Sequence, residues 1–318
     1  MPSLAELENT AALVHAALPP TPQYCWPLLC RRAGTEVWVK HENHTPLGAF
    51  KVRGGIAYVD HLKRNAPEVK GVIAATRGNH GQSVAFTARR AGLAAVIVVP
   101  KGNSVEKNAA MRALGGELIE HGHDFQAAYE YALGLAGERG LHPFPSFHPV
   151  LVQGVGTYGL EFLRGAPALD TVYVPIGLGS GICGVMAARD ALGLKTRVVG
   201  VVAENAPSYA LSFAQRKPVS TNSADTMADG VACRVPNAEA LAAILKGVER
   251  VVEVSDDAIK AAMRAYFADT HNVAEGAGAA PLAALLKERE AMAGKRVGVI
   301  LSGGNVDTAV YRDVLAAA

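Results

Sequence analysis

Short runs of β-branched and apolar residues alternate along this chain with segments of helical composition, and three of the runs end on glycine-rich loops. The runs expected to form strands are Glu36–His41, Gly71–Ala75, Ala94–Val99, Glu117–Glu120, 171–176, 197–202 and Arg296–Leu301. Between them, as in 104–114 and 124–138, apolar residues recur three or four apart among Ala, Leu, Glu and Arg, the period of a helix with one buried face. Alternation of this kind forces right-handed crossovers and parallel pairing. A strand that is apolar throughout, such as Val172-Tyr173-Val174-Pro175-Ile176, needs helices on both faces of its sheet. The expected fold is therefore α/β, with two open, mostly parallel twisted sheets covered by helices on both sides.

A chain of 318 residues has room for about two such units. Three closely spaced strands lie between Gly71 and Gly122, and the aromatic, proline-rich stretch His142-Pro143-Phe144-Pro145-Ser146-Phe147-His148-Pro149 then breaks the pattern. The expected division is a large domain from 1–60 and 150–318, and a small domain from 61–149. Half the residues are apolar and the net charge is +2, which gives no reason to expect nucleic acid or an anionic membrane as partner. No apolar run approaches the roughly 20 residues that span a bilayer, and Met1-Pro2-Ser3-Leu4-Ala5-Glu6 lacks the order of a signal peptide. The four cysteines, Cys25, Cys30, Cys183 and Cys233, form no CxxC pair. A cytoplasmic protein without a disulfide framework or structural zinc is expected.

Ligands of open α/β sheets bind beyond the carboxyl ends of the strands, and all three glycine loops fall there. Gly177-Leu178-Gly179-Ser180-Gly181 separates a buried strand from the helix expected over 182–192. Backbone N–H groups at a helix start favour an anion, so Gly177, Gly179, Ser180 and Gly181 suit a phosphate; a plain tight turn fits the same residues equally well. Lys51, near the start of a second expected helix, sits in Gly48-Ala49-Phe50-Lys51-Val52-Arg53-Gly54-Gly55, where the small residues clear space and Phe50 offers apolar cover. Most lysines so placed are solvated. Burial would depress the pKa of this one and make its amine a nucleophile able to form a Schiff base. A carbonyl cofactor that also carries a phosphate points to pyridoxal phosphate. In Ser302-Gly303-Gly304-Asn305, the serine suits a pyridine nitrogen, and Asn79, before the helix expected over 82–91, suits a phenolic oxygen. A strand-ending turn and a helix N-cap are the plainer readings of those two.

With these residues in place, the chain resembles fold-type II pyridoxal-phosphate enzymes, the fold of the tryptophan synthase β chain, and within them the serine/threonine dehydratase and serine racemase group. The Lys51 motif and Asn79-His80-Gly81-Gln82 carry the resemblance, with Gly154-Val155-Gly156-Thr157 and Ser302-Gly303-Gly304-Asn305 in support. It implies that Lys51 is the Schiff-base and catalytic lysine, that Asn79 binds the ring hydroxyl, that Gly177, Gly179, Ser180 and Gly181 cradle the phosphate and that Ser302 faces the ring nitrogen. Thr76, Arg77, Gly78, Asn79 and His80 would hold the substrate's α-carboxylate. The implied reaction removes the β-hydroxyl of a 3-hydroxy amino acid (threonine, serine or 3-hydroxyaspartate) to give a 2-oxo acid and ammonia. A homodimer is implied as well.

The chain departs from the group's pattern at three places. Arg77 replaces the serine that serves racemases as acid or base on the opposite face of the substrate, and a guanidinium with a pKa of about 12 or higher is a poor base. Its fork could instead pair with a second substrate carboxylate, as 3-hydroxyaspartate has, or it points to solvent. The group often binds a divalent cation through Glu, a backbone carbonyl four residues on and Asp at six; Glu204, Ser208 and Ala210 stand at that spacing here, and no metal is expected. The chain also stops soon after the last motif, where no regulatory domain is expected. A racemase or β-replacing synthase of the same fold is the alternative. A more remote one is a dinucleotide-binding oxidoreductase, because 154–159 matches GxGxxG after the short apolar run Val150-Leu151-Val152; yet 171–176 ends in no acid to hold a ribose.

Overall fold

The computed structural model describes residues 1–317. Its ten strands are β1 (Gln23–Cys25), β2 (Glu36–His41), β3 (Gly71–Ala75), β4 (Ala94–Val99), β5 (Glu117–Glu120), β6 (His142–Pro143), β7 (Thr171–Pro175), β8 (Arg197–Ala203), β9 (Arg250–Val254) and β10 (Arg296–Leu301). They form two sheets, one of six strands in the order β1-β2-β10-β7-β8-β9 and one of four in the order β5-β4-β3-β6. Every pairing is parallel except β1 with β2 at the edge. β3 is buried at every residue and β7 at every residue but Pro175, as strands covered on both faces must be.

All seven expected strands are present. β1, β6 and β9 are additions, and all three are edge strands of two to five residues. Val150-Leu151-Val152 is not a strand. It lies in the helix Pro149–Gly165, which starts with proline at its first position and with the His148 ring accepting from the Val150 N–H. The GxGxxG match therefore sits inside a helix, where no dinucleotide could meet it. Its glycines serve packing instead. A β-carbon on Gly154 would stand 2.5 Å from the Arg53 carbonyl oxygen in the helix Lys51–Asn65. One on Gly159 would stand 3.2 Å from Val185 Cα in the helix Ser180–Ala191, and one on that helix's Gly184 would stand 2.9 Å from the Gly156 nitrogen. The helix Pro149–Gly165 thus touches both neighbours backbone to backbone and fixes the spacing between the Lys51 helix and the Gly177 loop.

Candidate active site

The loops after β3, β7 and β10 open onto one cavity, and Lys51 reaches it as the first residue of its helix. The segment before Lys51 is sewn to the loop after β10. Phe50 N–H donates to the Ser302 carbonyl at 3.1 Å, Gly304 N–H donates to the Gly48 carbonyl at 2.9 Å, and Ala49 bridges Gly303. Lys51 Nζ donates to Ser180 Oγ at 3.3 Å and lies 4.9 Å from the centre of the Phe50 ring. That ring meets Tyr158 edge-on, and the Tyr158 hydroxyl donates to the Gly181 carbonyl at 3.1 Å. Burial pulls the Lys51 ammonium down to about 8, with the Glu275 carboxylate opposing the drop.

Two residues further on, Arg53 anchors the helix in a buried charge network. Its guanidinium donates to Glu42 at 2.7 and 3.0 Å and to Glu161 Oε2 at 2.9 Å, and Lys40 Nζ donates to the same Glu161 oxygen at 2.6 Å. Burial works against the Glu161 charge, yet Arg53 and Lys40 hold its carboxyl down to about 2. Such a group of two cations and two carboxylates is costly to bury and far costlier to break. It fixes where the first turn of the helix, and so Lys51, can stand.

Two helices present bare N-termini to the cavity. The helix Ser180–Ala191 has Gly179 at its cap, at φ +100°, and the helix Asn79–Arg90 has Gly78; neither cap residue has a side chain to accept from the first-turn N–H groups. First-turn N–H groups left without a side-chain acceptor make an anion site. Two such ends converge beside an amine held near pH 8, a donor set suited to two anions and one electrophilic carbon. A cofactor phosphate fits at Ser180, beside the Lys51 contact, and a carboxylate fits at Asn79. A further observation points the same way: His80 Nε2 is buried without a hydrogen-bond partner, and the ring lines this cavity. Burial, with the nearby Lys51 charge, pushes its pKa down to about 3, so the ring is neutral.

All the expected site residues (Lys51, Thr76, Arg77, Gly78, Asn79, His80, Gly177, Gly179, Ser180, Gly181 and Ser302) line this one cavity. Some of the reasons given for them change. Gly54 and Gly55 do not clear space for Lys51: Gly54 faces Leu151 and Val155, and a side chain on Gly55 would strike Ser83 Oγ. Gly177 is pressed against the Gly230 carbonyl oxygen, so packing as well as ligand approach demands glycine there. Asn79 does not cap its helix; its amide is bonded to Glu275 and Asn305. Arg77 is exposed at the cavity rim. Glu204 is exposed with Lys287 Nζ 3.9 Å away, while the Ser208 hydroxyl donates to the Cys233 carbonyl, and among the described residues no cluster of His, Cys, Asp or Glu is arranged to hold a metal ion. The cysteines are free thiols, although Cys25 and Cys30 bring their sulfurs to 3.5 Å.

Three charged lining residues escape a reading of motifs: Lys107, Asp229 and Glu275. Lys107 Nζ lies 3.1 Å from Asp229 Oδ2 and 3.5 Å from Glu275 Oε2. Burial disfavours its charge, but the two carboxylates hold it above the ordinary lysine range. The one signal available was Glu275, a lone acid in the small-residue run Val273-Ala274-Glu275-Gly276-Ala277-Gly278.

Comparison with known proteins decides the family. A family model described as pyridoxal-phosphate dependent enzyme matches residues 15–303. The chain belongs to this family. Like its other members, it depends on pyridoxal phosphate. Among curated members, an L-threonine ammonia-lyase of Thermotoga maritima is 35% identical over 283 residues, 88% of this chain and 70% of the relative. Among solved structures, the processed form of threonine deaminase isoform 2 from Solanum lycopersicum superposes with a TM-score of 0.89 at 30% identity, covering 100% of this chain and 95% of that one. Maize serine racemase superposes with a TM-score of 0.90 at 27% identity, covering 99% and 97%.

Proposed function

We propose that this protein removes the β-hydroxyl from a 3-hydroxy amino acid, threonine, serine or 3-hydroxyaspartate, and releases a 2-oxo acid and ammonia. The observation that carries the reading is Lys51 Nζ set between two uncapped helix N-termini, 3.3 Å from Ser180 Oγ at one of them. Bound at Lys51, pyridoxal phosphate supplies the electron sink that makes a proton on the substrate's α-carbon removable. The N-terminus at Gly177, Gly179, Ser180 and Gly181 holds the phosphate. The loop Thr76–His80, braced by the Gly78 N–H donating to Thr76 Oγ1 at 3.0 Å, holds the substrate carboxylate. Lys51 Nζ, neutral in an appreciable fraction at physiological pH, takes the α-proton. Asn79 donates to the ring oxygen. Ser302 lines the cavity and would offer the ring nitrogen a hydroxyl rather than a carboxylate, a partner that would leave it unprotonated and favour loss of the β-substituent.

Arg77 stands where the racemase pattern has a serine base, and a guanidinium is ill suited to that role. Elimination rather than racemisation is the reaction this arrangement favours. Exposed at the rim of the cavity, Arg77 is also free to meet a second carboxylate on the substrate. We place the enzyme in the cytoplasm as a homodimer, in keeping with the resemblance and with the lack, among the described residues, of a helix long and apolar enough to cross a membrane. The test is a panel of 3-hydroxy amino acids assayed for 2-oxo acid and for inversion at the α-carbon. Release of 2-oxo acid, lost in Lys51→Ala, supports the reading; inversion without elimination overturns it.

A further inference from the structure

The Asn79 amide is held on both sides. Its Nδ2 donates to Glu275 Oε1 at 2.7 Å, and its Oδ1 accepts from Asn305 Nδ2 at 2.9 Å. Asn305 cannot be turned the other way round, because its Nδ2 also donates to the Leu47 carbonyl at 2.8 Å. Glu275, 5% exposed, offers Asn79 only an acceptor, and its second oxygen faces Lys107 Nζ. Rotating the Asn79 amide by half a turn would set its oxygen against the Glu275 carboxylate and its nitrogen against the Asn305 nitrogen, losing both bonds and creating two repulsive contacts. One Asn79 N–H remains unspent, and Asn79 lines the cavity.

The surrounding backbone is shaped for this pair. A β-carbon on Gly48, at φ +67°, would stand 2.5 Å from Asn305 Oδ1, and one on Gly303 would stand 2.5 Å from Glu275 Oε1. A glycine of the Lys51 motif and a glycine of the Ser302 motif thus each make room for one of the two side chains that grip Asn79.

We propose that Asn305 and Glu275 are positioning residues that lock the Asn79 amide as a donor toward the cofactor's ring oxygen. This rests on the reading of Lys51 and Asn79 as the cofactor's attachment and ring-oxygen residues. The two act through Asn79 and touch no reacting atom. Without Asn305 the amide loses the partner that fixes its sense, and the ring oxygen meets a donor only part of the time.

The test is a double-mutant cycle on the holoenzyme, with Asn305→Ala made alone and in an Asn79→Ala background. The readouts are the cofactor dissociation constant, from fluorescence titration, and the position of the visible absorption band. Asn305→Asp, which keeps the shape and removes the donor, serves if the alanine variant fails to fold. The expected result is a loss of cofactor affinity of about tenfold with a shifted band in the wild-type background, and less than a twofold change in the Asn79→Ala background. Equal losses in both backgrounds, or no loss in either, would overturn the proposal, since a merely structural asparagine acts independently of Asn79. A wild-type protein that carries no cofactor on Lys51 after borohydride treatment would overturn the underlying reading, and the proposal with it; that outcome is read before any variant is made.

Discussion

Replacing Lys51 by methionine should make the cofactor-free protein more stable, because the wild-type fold holds an ammonium where ammonium is disfavoured. Burial lowers that group from 10.5 to about 8. At about 1.4 kcal/mol for each pH unit, the depression corresponds to roughly 3 kcal/mol of folding free energy. The sign follows from proton counts. Between pH 8 and 10.5 the unfolded chain binds more protons at this site than the folded one, so stability rises with pH across that window. Below pH 8 the full penalty is present. Methionine keeps the unbranched stem and removes the charge. Urea melts of cofactor-free wild type and Lys51→Met should therefore differ by about 3 kcal/mol at pH 7 in favour of the variant, with the gap closing toward pH 10.5. A variant no more stable than wild type at pH 7, or a gap that does not change with pH, would refute the reasoning. The same depression leaves about a tenth of the lysine neutral at pH 7, against well under a thousandth for an ordinary one. The destabilisation is therefore tied to the amine's readiness to react.

Other substitutions probe separate parts of the account. Arg77→Ser should lower kcat/KM for 3-hydroxyaspartate relative to threonine by roughly tenfold or more, the worth of a charge-assisted pair, in a direct competition assay; an unchanged ratio would mean that Arg77 meets no substrate carboxylate. Arg53→Met should cost about 3–5 kcal/mol in chemical denaturation, because it leaves Glu42 buried without a cation and Glu161 with only Lys40 and His15 as partners. Gly184→Ala should cost about 1–3 kcal/mol and weaken cofactor binding, since the added carbon would stand 2.9 Å from the Gly156 nitrogen and push the phosphate-binding helix off its neighbour.

Strands buried on both faces were legible because they are continuous apolar runs between helical segments. The strands that escaped are short edge pieces: Gln23–Cys25 and His142–Pro143 carry no apolar run, and Arg250–Val254 is only partly buried. Val150-Leu151-Val152 misleads because three apolar residues in a row fit a strand or one buried turn of helix, and Pro149 and His148 decide for the helix. Lys51, Asn79, the Gly177 loop and Ser302 were legible because each stands in a local pattern. Lys107 and Asp229 were not, because helix packing rather than spacing brings them to the cavity. The glycines of 154–159 stand out in the sequence only as a motif; that they let two helices approach is set by packing.

The central claim is that the cofactor is attached through Lys51, and the most direct measurement is borohydride reduction of the purified protein followed by peptide mass mapping. The account predicts a visible absorption band that disappears on reduction and one pyridoxyl phosphate adduct, on the peptide carrying Lys51. An adduct on Lys107 instead, or no adduct on a protein that shows the band, would contradict it.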